Sequence, residues 1–260
     1  MEKCVGCGST FVVPRPTVAF ISDFYYQNGH NGNFTFPHQV LDAERKYPNS
    51  TIDAKRIIQL IKSVQQSEGG RFLDVGAGYG LFSREAQQQN YDVTCVEVGA
   101  FERACIEEFT GVKAVPVMFE AFEAPDNTFD VVLMSQILEH VIEPQIWLEK
   151  AYQLLAPAGV LCIAVPNFKS LFRYILREND PYIIPPEHLN YFTSKGLLIL
   201  LERVGFQIIT VQYNSRLPFA SRFPREGFVK NMLGVFEARF CQTLDALNLG
   251  MFLNLYARKV

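Results

Sequence analysis

Leu73-Asp74-Val75-Gly76-Ala77-Gly78-Tyr79-Gly80 decides the fold of this chain. The segment closes a short apolar run and leads into a helical pattern. Its glycines let the backbone turn tightly and approach a ligand closely. A glycine turn between strand and helix serves structural loops and dinucleotide sites alike, so the details around it matter. The spacing is GxGxG, and Leu81 stands where a dinucleotide fingerprint wants Gly or Ala. Asp74 lies two residues before the first glycine, where a carboxylate suits a cationic amino group and repels a pyrophosphate. Glu97, at the end of the next strand-like run, can accept hydrogen bonds from both ribose hydroxyls. NAD enzymes use the same device, so Glu97 gains its meaning from the company of Asp74 and Leu81. Together these residues point to S-adenosylmethionine.

Outward from the loop, strand and helix patterns alternate. The apolar positions of 51–64 recur at helical spacing, with Ser50 or Thr51 as the expected cap and Gly69-Gly70 as the stop. Strands are expected at 71–75, 92–96, 112–115, 129–134 and 160–165, with helices at about 80–89 and 101–109 between them. The run Phe129-Asp130-Val131-Val132-Leu133-Met134 is almost continuously apolar, as in a strand covered on both faces. Pro144 opens a helix at the position proline favours. A helix over 194–204 ends at Gly205, and strands follow at 206–211 and 251–258 around a mostly helical segment. This alternation predicts an α/β fold, a doubly wound and mostly parallel sheet.

The chain has 260 residues, 48% hydrophobic and 20% charged, enough for one α/β domain with a full core and a small appendage. Its formal charge of −3 gives no broad basic footprint for nucleic acid. No apolar run approaches the roughly 18 residues of a membrane span, and Met1-Glu2-Lys3-Cys4-Val5-Gly6-Cys7-Gly8 lacks the apolar centre of a signal peptide. A cytoplasmic location is expected, and the spread of six cysteines fits it. Residues 1–50 read as an irregular appendage, and 51–260 as the cofactor-binding domain, with a lid insertion at 167–193.

At this point the chain resembles the class I S-adenosylmethionine-dependent methyltransferases, in particular the ubiquinone-biosynthesis O-methyltransferases and related bacterial small-molecule enzymes. The resemblance runs over about 45–258. It rests on the glycine loop, Glu97, Asp126-Asn127-Thr128-Phe129-Asp130-Val131-Val132, Leu138-Glu139-His140-Val141, Leu154-Leu155-Ala156-Pro157-Ala158-Gly159 and Glu187-His188-Leu189-Asn190-Tyr191-Phe192-Thr193. It implies a Rossmann-like sheet of seven strands with an antiparallel last strand. It also implies methyl transfer to a small-molecule acceptor, with S-adenosylhomocysteine as product. Cofactor contacts are expected from Asp74, Gly76, Ala77, Gly78, Gly80 and Glu97, and from Ser135 and Gln136 at the methionine end. Many relatives carry Asp where Met118 stands; here Met118 and Phe119 are expected to pack on the adenine instead.

For catalysis, family analogy brings His140, His188 and Tyr191 to the rim, with Glu139. Some relatives bind a divalent metal through Glu-x-x-Glu-His, but Gln136 replaces the first Glu, and an amide is a weaker ligand for a hard cation. Phe168, Leu171, Phe172, Tyr174, Ile175, Tyr182, Ile183 and Ile184 of the lid, with Phe20, Phe24, Tyr25, Tyr26, Phe34 and Phe36, are candidates for an aromatic acceptor pocket. Cys4-x-x-Cys7 resembles half of a zinc knuckle; Cys4, Cys7, His30 and His38 would be the four ligands of a closed site, while a degenerate knuckle that folds without metal is the favoured reading. The competing function is a catalytically silent S-adenosylmethionine-binding module that keeps the fold and uses the knuckle for a partner.

Overall fold

The computed structural model describes residues 1–28, 34–65, 68–216 and 228–260, with residues 22, 25–28 and 228–233 described through their backbone only. In chain order the elements are β1 (Glu2–Lys3), β2 (Thr10–Phe11), α1 (Val18–Asn28), α2 (Pro37–Lys46), α3 (Asn49–Val64), β3 (Gly70–Val75), α4 (Leu81–Gln88), β4 (Tyr91–Val96) and α5 (Ala100–Thr110). Then follow β5 (Phe129–Ser135), α6 (Pro144–Leu154), β6 (Leu155–Pro166), α7 (Leu171–Leu176), β7 (Asn190–Tyr191), α8 (Ser194–Val204), β8 (Phe206–Asn214), α9 (Phe228–Ala246) and β9 (Phe252–Lys259).

The main sheet has the order β4-β3-β5-β6-β9-β8. β3 to β6 run parallel, and β9, the last strand of the chain, is antiparallel to both neighbours. β3 therefore lies between β4 and β5, the point where the winding direction reverses, and the crevice at the carboxyl ends of such strands is where open α/β sheets take ligands. Side chains alternate between two core layers, as strand geometry demands. Leu73, Val132 and Leu161 pack with Trp147 and Leu148 of α6 and Leu197 and Leu201 of α8. Phe72, Val131, Leu133 and Cys162 pack with Ile57, Ile58 and Ile61 of α3, Ala86 of α4 and Ile106 of α5.

Three expectations need correction. Among the described residues the main sheet has six strands where seven were expected: the stretch 112–115 shrinks to a single parallel bridge between Val115 and Val96. Val115 exchanges bonds with Cys95 and Glu97, and Pro116 then has no N–H with which to extend the ladder. The helix 51–64 is not capped by Ser50 or Thr51. It begins at Asn49, and the carboxylate of Glu44 in α2 accepts from the Thr51 N–H at 2.9 Å and its hydroxyl at 3.0 Å. Finally, the described part of residues 1–50 is not irregular. It holds α1 and α2 and a short hairpin, β1–β2, whose second strand pairs with β7 in a separate three-stranded sheet.

That second sheet fastens the start of the chain to the lid return. Thr193, fully buried, accepts from Gly196 N–H at 3.1 Å as the cap of α8 and donates to the Cys7 carbonyl at 2.9 Å. Thr193→Val keeps the volume and removes both bonds. It is expected to destabilise the protein by about 1–2 kcal/mol, the cost of a lost cap and an unpaired carbonyl, read as a lower denaturation midpoint at constant m-value.

Candidate active site

Gly76 leaves β3 with φ +66, and a Cβ there would sit 2.8 Å from the Ile137 side chain, so the first glycine is required by both conformation and packing. Gly78 differs: its φ is +52, yet a Cβ would meet nothing within 4 Å. It faces open space, as a backbone meant to lie against a ligand does. Gly80 caps α4 and sits against Ile106, while Ala77 is buried in the core layer under α3 and α4.

Glu97 ties this turn to the next. Its Oε2 accepts from the Gly78 N–H and its Oε1 from the Gly99 N–H, both at 2.8 Å. Above them lies a cavity of about 300 Å³, whose walls include Gly76, Glu97, Met118, Phe119 and His140. The Phe119 ring is committed to the core between Phe122 and Trp147, so this residue borders the cavity without a free face to stack on a ligand. Val18 and Ile21 of α1 close one side, with Ile142 and Ile146 opposite. Asp74 does not border it. Its carboxylate is buried and accepts from the Ser83 hydroxyl at 2.6 Å. Burial pushes the Asp74 carboxyl up to about 7, against the Ser83 bond and with help from the nearby Glu97 charge.

Ser135 and Gln136 border a second cavity of about 210 Å³, together with Arg56 and Phe82. Gln136 has φ +54 and its N–H donates to the Ala164 carbonyl at 2.7 Å, which turns the chain sharply between the two cavities. Arg56, on α3, was not singled out from the sequence because a charge on an amphipathic helix reads as a solvated face. Burial lowers its pKa, and its Nε–H has no hydrogen-bond partner among the described residues.

His140 and His188 meet edge to face with ring centroids 4.6 Å apart, and Tyr191 lies 6.5 Å from His188. His140 Nδ1 is 2.9 Å from the Glu187 carbonyl and His188 Nδ1 is 2.8 Å from the Tyr182 carbonyl. A carbonyl only accepts, so each neutral ring carries its proton on Nδ1 and presents Nε2 as the basic nitrogen. Of the three catalytic candidates only His140 reaches the 300 Å³ cavity; His188 and Tyr191 border a much smaller one.

The Glu139 carboxyl is 1% exposed, neither oxygen has a hydrogen-bond partner among the described residues, and burial pushes it up to about 8. One ligand atom from each of Glu139, His140 and His188 lies within 4.8 Å of the others. Two imidazoles held by carbonyls and an unpartnered carboxylate fit a divalent transition ion. Among the described residues this is the one such group of three; Cys4, Cys7 and His38 form none, and His30 lies outside the described residues. The aromatic residues expected in one acceptor pocket are dispersed: Phe34 packs on Tyr79, Phe20 stacks on Phe24, Phe36 is exposed, and the side chains of Tyr25 and Tyr26 are outside the described set.

A family model described as a methyltransferase domain matches residues 50–211. The chain belongs to this family. The reading of the chain as a class I, S-adenosylmethionine-dependent methyltransferase is thereby borne out. A ubiquinone biosynthesis O-methyltransferase of Mesorhizobium japonicum is 25% identical over 214 residues, covering 75% of this chain and 82% of the relative. Among solved structures, an S-adenosylmethionine-dependent methyltransferase of Mesorhizobium loti shares the fold with a TM-score of 0.56 at 19% identity, over 77% of this chain and 96% of that one. The 1,6-didemethyltoxoflavin-N1-methyltransferase of Burkholderia thailandensis, solved with 1,6-didemethyltoxoflavin and S-adenosylhomocysteine, aligns with a TM-score of 0.59 at 18% identity over 100% of this chain and 98% of that one. Among the described residues no helix is long and apolar enough to cross a membrane.

Two measurements bear on the site's charges. The folded state keeps a proton on Asp74 between its ordinary value of 3.8 and about 7, where the unfolded chain has lost it. Stability from this group is complete below the lower value and falls as pH rises through the window. Asp74→Asn is expected to flatten the fall in Tm between pH 5 and pH 7.5. At the Glu139 cluster, millimolar Mn²⁺ is expected to raise the Tm of the wild type and leave that of Glu139→Gln unchanged.

Proposed function

We propose that the methyl donor lies across both cavities, with its adenosine in the larger one and its methionine portion crossing Gln136 toward Arg56. The glycine loop bonded to Glu97 beneath an adenosyl-sized cavity is the observation that carries this reading. A carboxylate has about four lone-pair positions, so Glu97 can accept from ribose hydroxyls while it holds the amides of Gly78 and Gly99. Gly76 and Gly78 bring bare backbone to the ligand, and Met118 provides an apolar surface for the adenine. The α-carboxylate meets the Arg56 guanidinium, whose buried Nε–H gains an acceptor.

S-adenosylmethionine supplies an electrophilic methyl on a sulfonium, transferred in line to a small-molecule acceptor. The protein's share of the work is alignment. The Gln136 turn separates the adenosine space from the cavity that takes the methionine end, and α1, through Val18 and Ile21, keeps water from the adenosyl side. His140, at the cavity wall, has its basic nitrogen set by the Glu187 carbonyl. His188 packs edge to face on that ring, and Tyr191 packs on His188.

Calorimetry with S-adenosylhomocysteine tests the donor assignment. The wild type is expected to bind with a single site, and Glu97→Ala and Arg56→Gln to weaken binding at least about tenfold, the loss of one charge-assisted contact. No heat at protein concentrations well above micromolar would sink the reading. A bound product with no transfer to any acceptor pool would favour the catalytically silent module instead.

A further inference from the structure

The 210 Å³ cavity has further walls beyond those given above to the donor's methionine end. It opens at the carboxyl ends of β5 and β6 and the facing part of β9. Its remaining walls are Asp53 and Arg216 on one side, Asn254 at the base, and Tyr182 and Phe252, whose rings meet edge to face at 5.1 Å. Asp53 contributes the carboxylate of this lining, and both its oxygens are engaged: Oδ1 by Arg56 at 3.1 Å, Oδ2 by Arg216. Asn254 is 1% exposed, paired in register with Ala164 in the middle of the sheet. Its Nδ2 has no hydrogen-bond partner among the described residues. A buried amide N–H without an acceptor is a standing desolvation cost that a ligand oxygen would relieve.

We propose that this cavity is the acceptor subsite and that the methyl acceptor is a small carboxylate-bearing molecule, its carboxylate held by Arg216 and Asn254 and its flat body against Tyr182 and Phe252. The assignment rests on the donor reading above, which commits Arg56 to the methionine carboxylate. The cavity presents N–H donors, and the carboxylate that could have welcomed a cationic amine is already shared by two guanidiniums. Burial brings the Arg216 guanidinium down to about 10, so an anion beside it also relieves the burial of its charge. Ligand pockets for drug-sized molecules begin near about 300 Å³, so the part of this smaller space left beside the methionine end suits an acceptor no larger than a single ring.

Benzoate and benzylamine, matched in size and opposite in charge, are the probes. Each is titrated into wild-type protein already saturated with S-adenosylhomocysteine, with binding followed by ligand-observed NMR. Benzoate is expected to bind saturably and at least about tenfold more tightly than benzylamine, a gap of about 1.4 kcal/mol. Arg216→Gln and Asn254→Asp are each expected to lose most of that preference while S-adenosylhomocysteine affinity stays within about twofold. Asn254→Asp replaces the donor by a repelling oxygen at constant shape, which keeps the test intact if Arg216→Gln perturbs folding. Absent benzoate binding, tighter benzylamine binding, or variants that lose S-adenosylhomocysteine and benzoate together would overturn the proposal. Failure of the donor reading shows earlier and separately, as wild-type protein that never takes up S-adenosylhomocysteine.

Discussion

One carboxylate organises the ligand edge of this fold. Glu97 accepts from Gly78 in the turn after β3 and from Gly99 in the turn after β4. Those turns belong to different βα units; beyond the last paired residues, Val75 and Val96, the Gly76 and Ala77 N–H groups still donate to the Val96 carbonyl, and Glu97 extends the tie to Gly78 and Gly99. A buried acceptor with two amide donors fixes that relation at 5% exposure, in a setting where an unmet donor or acceptor is expensive. The glycine turn therefore keeps a shape that leaves Gly78 facing space. The cavity above it is bounded by the same side chain that would read a ribose. Structure and recognition share one group, so a substitution there disturbs both.

The alternation of strand and helix was legible because its causes are local. Continuous apolar runs such as Val131-Val132-Leu133-Met134 and the proline at 144 specify elements without reference to distant residues. Boundaries failed where a distant partner intervened. The α3 cap comes from Glu44, whose role depends on how α2 folds back. The strand at 112–115 ended early because Pro116 removes an N–H, a signal present in the sequence but outweighed by the apolar pattern. Residues 1–50 looked irregular because β1 and β2 are two residues long and are stabilised by β7, nearly 180 positions away. No window-based reading sees such a pairing.

The site divides in the same way. The proposed donor side lies on consecutive turns, so Gly76, Gly78 and Glu97 announced themselves by spacing. Asp74 also stood out, yet its side chain bonds to Ser83 inside the domain. Position in a motif told where the residue is, and the α4 helix decided where it points. The acceptor side is assembled from α3, the lid, the end of β8 and the middle of β9. Arg56 and Arg216 carry no local signature. Asn254 did: it is a lone polar residue inside the apolar run Met251-Phe252-Leu253-Asn254-Leu255. A strand interior tolerates such a residue only with a partner or a ligand.

The lid return links these halves mechanically. Backbone N–H groups of Leu189 and Asn190 both donate to the Glu139 carbonyl, and the Asn190 amide donates to the Val141 carbonyl at 2.7 Å. The loop carrying His140 is thus stitched to the segment carrying His188, and β2 clamps the same segment from its other side. Tyr182 belongs to this assembly too, through the carbonyl that orients His188, while its ring borders the second cavity. A ligand that presses on the Tyr182 ring therefore acts on the segment that fixes the histidine pair. The proposed acceptor space and the Glu139–His140–His188 cluster thus share one short stretch of backbone.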